Sequence, residues 1–390
     1  MLHYSINGRF AILSPVKLRE VLVLVDADPP NRFRGIARFA GEHGWHLRVE
    51  NRVHPPRDWT GDGALVMIED IPRLKRFVKA AWRKGIPVVD MLEDQPDVRV
   101  TRVAGDNLAI GRLAADHFAE RDFRHAAFFS IRHNHTHDLR IRGFREKWSG
   151  KTFESWLWPD IAGDQADDWR RMESWLASHL RALPKPLAVF AWNDYDATHV
   201  LNACRRIDLR VPDDVAILGV DDNRIICEHQ TVTLSSIAHD HERVGYEAAR
   251  TLERLMSGVS PVEDLAHIPP RCVMTRGSTD TFAVNDPELF PAIELIRQNL
   301  SRPFGAAQLA LLLKIPRVRL DRLFAARLGH SVGTEISRRR IAEAKRLMLS
   351  SGLPLSDIAA RCGYCHASFL IRTFKAATGL SPTEWRISAQ

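Results

Sequence analysis

Short apolar runs of this 390-residue chain end in side chains that could bind a polar ligand. Carboxylates and amides close these runs at Asp26, Glu69, Asp90, Asn193-Asp194 and Asp221-Asp222. Such groups pair with hydroxyls, and their charged members make the stronger hydrogen bonds. Trp192 could cover an apolar face of such a ligand. The set predicts a site for a polar ligand; the alternatives are helix-cap or turn roles for the carboxylates and a core position for Trp192.

A second candidate set lies near the carboxy terminus, where one pattern occurs twice. Gln308–Phe324 and Ser356–Phe374 each fit a short helix, a tight turn and a second helix. In the second copy Gly363 stands where a helix end needs left-handed backbone, which glycine adopts cheaply. Phe369 and Phe374 are expected to hold the second helix against the first. The pattern predicts two helix-turn-helix motifs.

The second helix of each motif is expected to face a major groove of DNA. The outward residues are predicted to be Arg317, Val318, Asp321 and Arg322 in the first copy and Ala367, Ser368, Arg372 and Lys375 in the second. A helix over Glu335–Ser350 would fix their spacing, and its Arg338, Arg339 and Arg340 suit phosphate contacts. The alternative is a small helical domain with a solvated basic face.

The elements that position these residues follow from hydrophobic periodicity. Uninterrupted apolar runs predict strands buried on both faces at Val21–Asp26, Ala64–Ile68, Pro87–Met91, Ala126–Ile131, Leu187–Ala191 and Val215–Val220. Apolar residues at helical spacing predict helices between them, at 34–43, 71–84, 109–120, 169–182 and 197–206. From 287 onward only helical patterns occur. A repeated strand–helix order predicts doubly wound parallel sheets, whose ligands bind beyond the carboxyl ends of the strands.

Charge separates the two parts of the chain. Residues 290–390 hold 16 Lys and Arg against 6 Asp and Glu, whereas the remainder holds 39 basic and 42 acidic residues. A basic module on a mildly acidic body indicates nucleic-acid binding. No apolar run approaches a membrane span of about 18 residues, and no export signal is evident. With five irregularly spaced cysteines, a cytoplasmic location is expected.

Motifs for other functions are absent or weak. The chain has no G-x-G-x-x-G after its first apolar run, no P-loop and no G-x-S-x-G, so an enzyme is not expected. Cys362-Gly-Tyr-Cys365-His366 matches the spacing for haem attachment, but it falls in a predicted helix-turn-helix turn. His133, His135 and His137 favour a polar loop over a metal site, because no Cys or His pair has structural-site spacing. We expect no cofactor and no metal.

The basic module resembles the AraC/XylS family of transcription regulators. The resemblance is carried by Ile358-Ala359, Cys362-Gly-Tyr364, Phe369, Phe374-Lys375, Gly379-Leu-Ser-Pro382 and Trp385-Arg386. Two departures are Pro316, where Ser is usual at the head of the first recognition helix, and Trp385, where Tyr is usual. Proline suits a first helical turn but removes a capping hydroxyl.

The body resembles the sugar-sensing core of LacI-type repressors, which has a two-lobed periplasmic-binding-protein fold. The marks are Asp106–Gly111, Arg140–Phe144, Asn193-Asp194 and Val211–Val215 followed by Gly219–Asp222. This resemblance implies sugar-binding roles for Asp106, Arg140, Asn193 and Asp221, with Trp192 as a candidate. The amino-terminal DNA-binding domain usual in LacI-type proteins is not recognised.

Together these resemblances imply an amino-terminal tail (1–17), a LacI-like effector-binding domain (18–277), a linker (278–287) and an AraC-type DNA-binding domain (288–390). The implied function is a cytoplasmic, sugar-responsive regulator that binds an operator as a homodimer. It would activate pentose genes, with xylose the favoured effector, and act with RNA polymerase. A cytoplasmic sugar-binding protein or a sugar-active enzyme without specific DNA recognition is the alternative.

Overall fold

The computed structural model describes residues 18–25, 30–159, 168–259, 264–281 and 288–388. Asp26, the 1–17 tail and positions 282–287 of the predicted linker lie outside these ranges. Within them, no helix combines the length and apolar character needed to cross a membrane. The chain divides into two compact units, the first from Met1–Gly105 with Asp240–Ile268 and the second from Asp106–His239 with Pro269–Gln390.

The first unit is a lobe built on a parallel six-stranded sheet in the order β11-β5-β4-β3-β1-β2. Its strands are β1 (Arg19–Val25), β2 (Trp45–Asn51), β3 (Gly63–Val66), β4 (Val88–Asp90), β5 (Thr101–Gly105) and β11 (Leu265–Ile268). Its helices are α1 (Pro30–His43), α2 (Pro72–Arg83) and α8 (His241–Met256). Strand β3 and residues 21–24 of β1 are wholly buried, as expected for a sheet covered on both faces.

The second unit contains another six-stranded sheet, in the order β12-β10-β9-β8-β6-β7, with only β12 antiparallel to its neighbour. Its strands are β6 (His125–Ser130), β7 (Thr152–Leu157), β8 (Leu187–Ala191), β9 (Val215–Val220), β10 (Ser235–Ala238) and β12 (Cys272–Met274). Its helices are α3 (Asn107–Ala119), α4 (His135–Lys147), α5 (Asp168–Ala182), α6 (Asp194–Arg206) and α7 (Arg224–Glu228). The doubly wound α/β fold class is confirmed.

The same unit continues into an all-helical domain. Its helices are α9 (Phe290–Gln298), α10 (Ala306–Leu313), α11 (Arg317–Leu328), α12 (Val332–Ser350), α13 (Leu355–Arg361), α14 (Ala367–Thr378) and α15 (Pro382–Ser388). Two helix-turn-helix pairs, α10–α11 and α13–α14, flank the long helix α12. The first half of α12 gives Ile336 to one apolar core, and its second half gives Ile341 to another. The predicted linking helix is therefore shared by two small cores.

One packing prediction in the second motif was wrong. Phe374 is fully buried as expected, but Phe369 is 47% exposed, and Leu370 takes the buried position beside it. The reason is helical periodicity, because Leu370 and Phe374 lie four residues apart on one face of α14, whereas Phe369 is turned about 100° away. Gly363 has a φ of +70°, as the predicted left-handed turn requires.

The histidine-rich segment is more ordered than a polar loop. His135 and His137 lie in the first turn of α4, and only His133 precedes the helix. The Asn134 side chain caps α4 by accepting a hydrogen bond from the His137 backbone N–H at 2.9 Å. The prediction of a loop missed this start because the segment has few apolar residues before Leu139.

The first residues of the predicted linker, Ser278 and Thr279, pack against the sheet of the second unit. A 3-10 helix spans Gly277–Thr279, with Ser278 and Thr279 wholly buried. The Ser278 hydroxyl donates to the Ile217 carbonyl oxygen at 2.6 Å, and the Ser235 backbone N–H donates to the same hydroxyl at 2.8 Å. The proposed domain boundaries stay a prediction.

Candidate effector and DNA-binding sites

Two of the predicted effector residues also cap helices of the second unit. Asp106 precedes α3 and accepts a hydrogen bond from the Ala109 backbone N–H at 2.8 Å. Asn193 follows β8, precedes α6 and accepts from the Asp196 backbone N–H at 2.8 Å. The capping contacts thus use one carboxylate oxygen of Asp106 and the amide oxygen of Asn193. A cap fixes the side chain in one direction, which suits a preorganised ligand contact.

Arg140 and Trp192 lie together, as a shared binding role requires. The Arg140 side chain is 6% exposed, its Nε donates to Oδ1 of Asn107 at 2.9 Å, and its Nη1 donates to the Trp192 carbonyl oxygen. The guanidinium carbon lies 5.3 Å from the centre of the Trp192 ring. Among the described residues, the buried Nε1 of Trp192 has no hydrogen-bond partner. An unsatisfied donor beside a guanidinium group fits a site that awaits a polar ligand.

The position of Arg140 depends on a close contact between α3 and α4. A Cβ added at Gly111 would lie 2.1 Å from the Arg140 carbonyl oxygen, and one at Gly143 would lie 2.1 Å from that of Leu108. Only glycine permits such an approach of two helix backbones. Gly111 and Gly143 therefore specify the helix spacing, while Asp106 and Arg140 of the same sequence marks stay candidate ligand contacts.

Asp221 belongs to an acidic cluster where β8 and β9 end. Its backbone is left-handed, with a φ of +101°, and Asp222 follows at +50°. Burial, aided by the nearby charge of Asp221, raises the pKa of Asp194 to about 8. Burial likewise raises the pKa of Asp196 to about 7. Strained backbone and perturbed carboxyls cluster where function requires them, so Asp221 stays a candidate.

The other carboxylates of this acidic cluster, Asp194, Asp196 and Asp222, form hydrogen bonds or ion pairs within the fold. Asp222 forms an ion pair with Arg276 at 2.7 Å between Oδ1 and Nη2. Asp194 accepts from the Asn223 backbone N–H at 2.8 Å, and Asp196 accepts from that of Ile131 at 3.1 Å. Sequence reasoning missed Asn107 and Asp196, whose roles depend on contacts across the fold. No local spacing signal could have found them.

The predicted groove-facing residues of the two motifs are largely accessible. On α11, Arg317 and Arg322 are exposed, Val318 is 63% exposed, and Asp321 lies 3.6 Å from Arg317 as an ion pair. On α14, Ser368, Arg372 and Lys375 are exposed, whereas Ala367 is half-buried. The Arg372 guanidinium carbon stands 4.9 Å from the centre of the exposed Phe369 ring. Each second helix offers cationic and small side chains on its outer face.

Arg339 of α12 does not fit the phosphate role expected of it. Arg339 is 4% exposed and pairs with Glu335 at 2.6 Å and with Asp280 at 3.7 Å. Arg338 donates to the Glu120 carbonyl oxygen at 2.5 Å. A buried, ion-paired guanidinium group cannot reach a DNA backbone without breaking those contacts. The phosphate role is therefore corrected for Arg339, whereas Arg338 is half-exposed and its role stays a prediction.

Arg340 has a third kind of contact. Its Nη2 donates to the carbonyl oxygens of Arg302 at 2.7 Å and Phe304 at 3.1 Å. Both acceptors lie before α10, whereas the Arg340 guanidinium also stands 5.4 Å from the Tyr364 ring of the second motif. Arg340 therefore joins the two halves of the helical domain.

Comparison with known proteins tests the predicted resemblances. Residues 115–279 match the family described as a periplasmic binding protein-like domain, and residues 309–388 match a helix-turn-helix domain family. The xylose operon regulatory protein of Escherichia coli K12 is 25% identical over 360 residues, covering 89% of this chain and 90% of that protein. The chain is therefore similar to xylose operon regulators over most of its length. The corresponding protein of Haemophilus influenzae is 26% identical, covering 73% of this chain and 74% of its own length.

Solved structures share the fold of this chain. A structure described as a xylose-binding transcription activator superposes with a TM-score of 0.61 at 24% identity, covering 95% of this chain and 98% of its own. A LacI-family regulatory protein from Chloroflexus aggregans gives a TM-score of 0.54 at 19% identity, over 66% of this chain and 97% of its own. The two resemblances, to AraC/XylS regulators and to LacI-type sensors, are confirmed.

Proposed function

We propose that this chain is a sugar-responsive, DNA-binding transcription regulator that activates genes for the use of a pentose such as xylose. The observation that carries the proposal is the match to xylose operon regulatory proteins across 89% of the chain, which includes both modules. A protein that only bound sugar would have no use for two helix-turn-helix motifs with exposed cationic faces. We further propose that it acts in the cytoplasm and has no catalytic activity.

The effector site is assigned to Asp106, Arg140, Trp192, Asn193 and Asp221. Carboxylates would accept from sugar hydroxyls, while the Arg140 guanidinium and the Trp192 Nε1–H would donate to sugar oxygens. The nearness of Arg140 to Trp192 and the location of Asn193 and Asp221 beyond β8 and β9 support this assignment. Ligands of open α/β sheets bind at such strand ends.

DNA recognition is assigned to the outer faces of α11 and α14. The residues proposed to contact the duplex are Arg317, Val318, Asp321 and Arg322 on α11 and Ala367, Ser368, Arg372 and Lys375 on α14. Because α12 separates the two motifs rigidly, they would enter successive major grooves about 34 Å apart. A homodimer would then read repeated half-sites and present RNA polymerase with a defined surface. Arg338 stays a proposed phosphate contact, and the buried Arg339 is withdrawn from the DNA contacts.

Helix α3 offers a physical connection between the two functions. Its amino-terminal cap is Asp106, a proposed effector ligand, and beyond its carboxyl end the Glu120 carbonyl oxygen accepts from Arg338 of the helical domain. Arg121 also donates to the Thr279 carbonyl oxygen at 3.0 Å. At 1.5 Å per residue this 13-residue helix spans about 20 Å. A shift of α3 on sugar binding would move the contacts that hold α12.

The decisive experiment measures sugar and DNA binding on the same full-length protein. Calorimetric titration with a panel of pentoses and hexoses identifies the effector, and gel shifts with duplex DNA from the gene's upstream region are run with and without it. We expect a pentose to bind and to change DNA affinity. Sugar binding without DNA affinity would support a plain sugar-binding protein, and conversion of the sugar would support an enzyme.

A further inference from the structure

A group of metal-ligating side chains lies at the start of α4, apart from the proposed effector contacts. Nε2 of His133 and Nδ1 of His137 each lie 3.0 Å from the same oxygen, Oδ1 of Asp138. One ligand atom from each of the three residues lies within 4.8 Å of the other two. Two imidazole nitrogens and one carboxylate oxygen thus converge on one point of the surface.

We propose that His133, His137 and Asp138 bind a single divalent transition-metal ion of the zinc class. Imidazole suits Zn²⁺, Ni²⁺ and Cu²⁺, whereas Mg²⁺ and Ca²⁺ prefer oxygen ligands, so the donor set selects against the latter two. Three protein ligands with water in the remaining position is an established arrangement for accessible zinc.

The distances fit such an ion with little movement. Metal–ligand bonds of about 2.0–2.1 Å in a tetrahedron place ligand atoms about 3.3 Å apart. Each histidine nitrogen already lies 3.0 Å from Oδ1 of Asp138, and the two histidine nitrogens are no more than 4.8 Å apart. Bringing these two nitrogens to the tetrahedral distance needs at most about 1.5 Å of movement. The His133 side chain can make this movement, because it is 58% exposed.

The other two ligands are held by the fold. The His137 side chain is only 5% exposed, and its ring packs edge-on against Phe128 with centroids 5.2 Å apart. Asn134 caps the helix turn that carries His137 and also accepts from the Thr136 hydroxyl at 3.0 Å. Ligands on a capped helix are preorganised, so the binding energy is not spent on ordering them.

The test is a zinc titration of metal-free full-length protein by calorimetry. We expect one saturable site at micromolar zinc, and His133→Ala and Asp138→Asn should each weaken it by about tenfold or more. Both side chains are exposed, so these changes should leave the fold intact, which a circular dichroism melt checks. The matched control is His135→Ala, which removes a histidine of the same segment that is outside the ligand set and should leave zinc affinity unchanged.

A second measurement identifies the ligands directly. Co²⁺ bound in place of zinc should give the visible absorption of a nitrogen- and oxygen-ligated ion, lost in His133→Ala and kept in His135→Ala. Three results would overturn the proposal: no saturable zinc site in the wild type, equal zinc binding by wild type and both ligand variants, or equal loss in His135→Ala. None of these readouts uses DNA or sugar, so the metal site and the regulatory function can fail independently.

Discussion

Substitution of Gly363 by alanine should separate the two halves of the DNA-binding domain. Gly363 occupies the turn between α13 and α14 with a φ of +70°. A Cβ there would lie 2.3 Å from the Leu300 carbonyl oxygen, 2.6 Å from that of Arg302 and 2.9 Å from Nη2 of Arg340. The first two atoms belong to the backbone of the other half, so they cannot move aside like the end of a flexible side chain.

The size of the effect can be estimated by comparison with a second glycine. Gly379 ends α14 with a φ of +78°, but a Cβ there would meet nothing within 4 Å. Gly379→Ala therefore costs only the left-handed backbone, about 1–2 kcal/mol. Gly363→Ala costs the same and must also push a carbonyl about 1 Å away, which adds about 1–3 kcal/mol of overpacking.

Hydrogen exchange of the full-length protein measures the difference in local stability between the two variants at α13 and α14. In peptides from α13 and α14, exchange in Gly363→Ala should exceed that in Gly379→Ala by about 5- to 150-fold, the equivalent of 1–3 kcal/mol. Operator affinity should fall in parallel, because the two recognition helices lose their fixed spacing. Equal exchange in the two variants would refute the contact between the halves.

Three further predictions concern the separate sites. Asp221→Asn, which tolerates the left-handed backbone, should weaken sugar binding by about 1–3 kcal/mol in calorimetry and leave sugar-free DNA binding unchanged in gel shifts. Arg372→Ala should cost about 1–3 kcal/mol of operator affinity and relax preference at one base pair, as selection from randomised duplexes would detect, whereas Arg338→Ala should leave base preference intact. Because the pKa of Asp194 is raised to about 8, its carboxyl group is protonated in the folded protein and ionised in the unfolded protein between about pH 4 and pH 8. Its contribution to stability is therefore present below about pH 4 and is lost as the pH rises through about 8. Asp194→Asn should remove up to about 1.4 kcal/mol per pH unit of that slope in urea unfolding.

Most strands buried on both faces could be predicted from the sequence, and the edge strands could not. Leu187–Ala191 and Val215–Val220 were predicted with the observed bounds, because every residue of β8 and β9 is buried. In β2 and β7 most residues are at least partly exposed, so no continuous apolar run marks them. Strand β5 is largely buried, yet Arg102 interrupts its run and pairs with Asp90 instead.

The effector candidates show what a resemblance leaves out. It pointed to Arg140, but the contacts that orient this side chain come from Asn107 and the Trp192 carbonyl oxygen, which are 33 and 52 residues away in sequence. The cluster of His133, His137 and Asp138 could likewise not be predicted from the sequence. Its ligand atoms lie close together because α4 begins between His133 and His137 and places the His137 side chain beside Asp138.

The arginine run 338–340 explains why charge alone misleads. Three consecutive arginines on a helix point in directions about 100° apart, so they cannot share one phosphate-facing surface. In α12 each direction meets a different neighbour: Arg338 the Glu120 carbonyl oxygen, Arg339 the buried Glu335, and Arg340 the loop before α10. Removing Arg339 would take the guanidinium partner from the buried Glu335 and leave it the His330 Nε2 contact at 2.9 Å, so the cost is at most about 3–5 kcal/mol. Arg339→Ala should therefore lower the melting temperature of the helical domain, whereas a lost phosphate contact would lower DNA affinity and its salt dependence and leave the melting temperature unchanged.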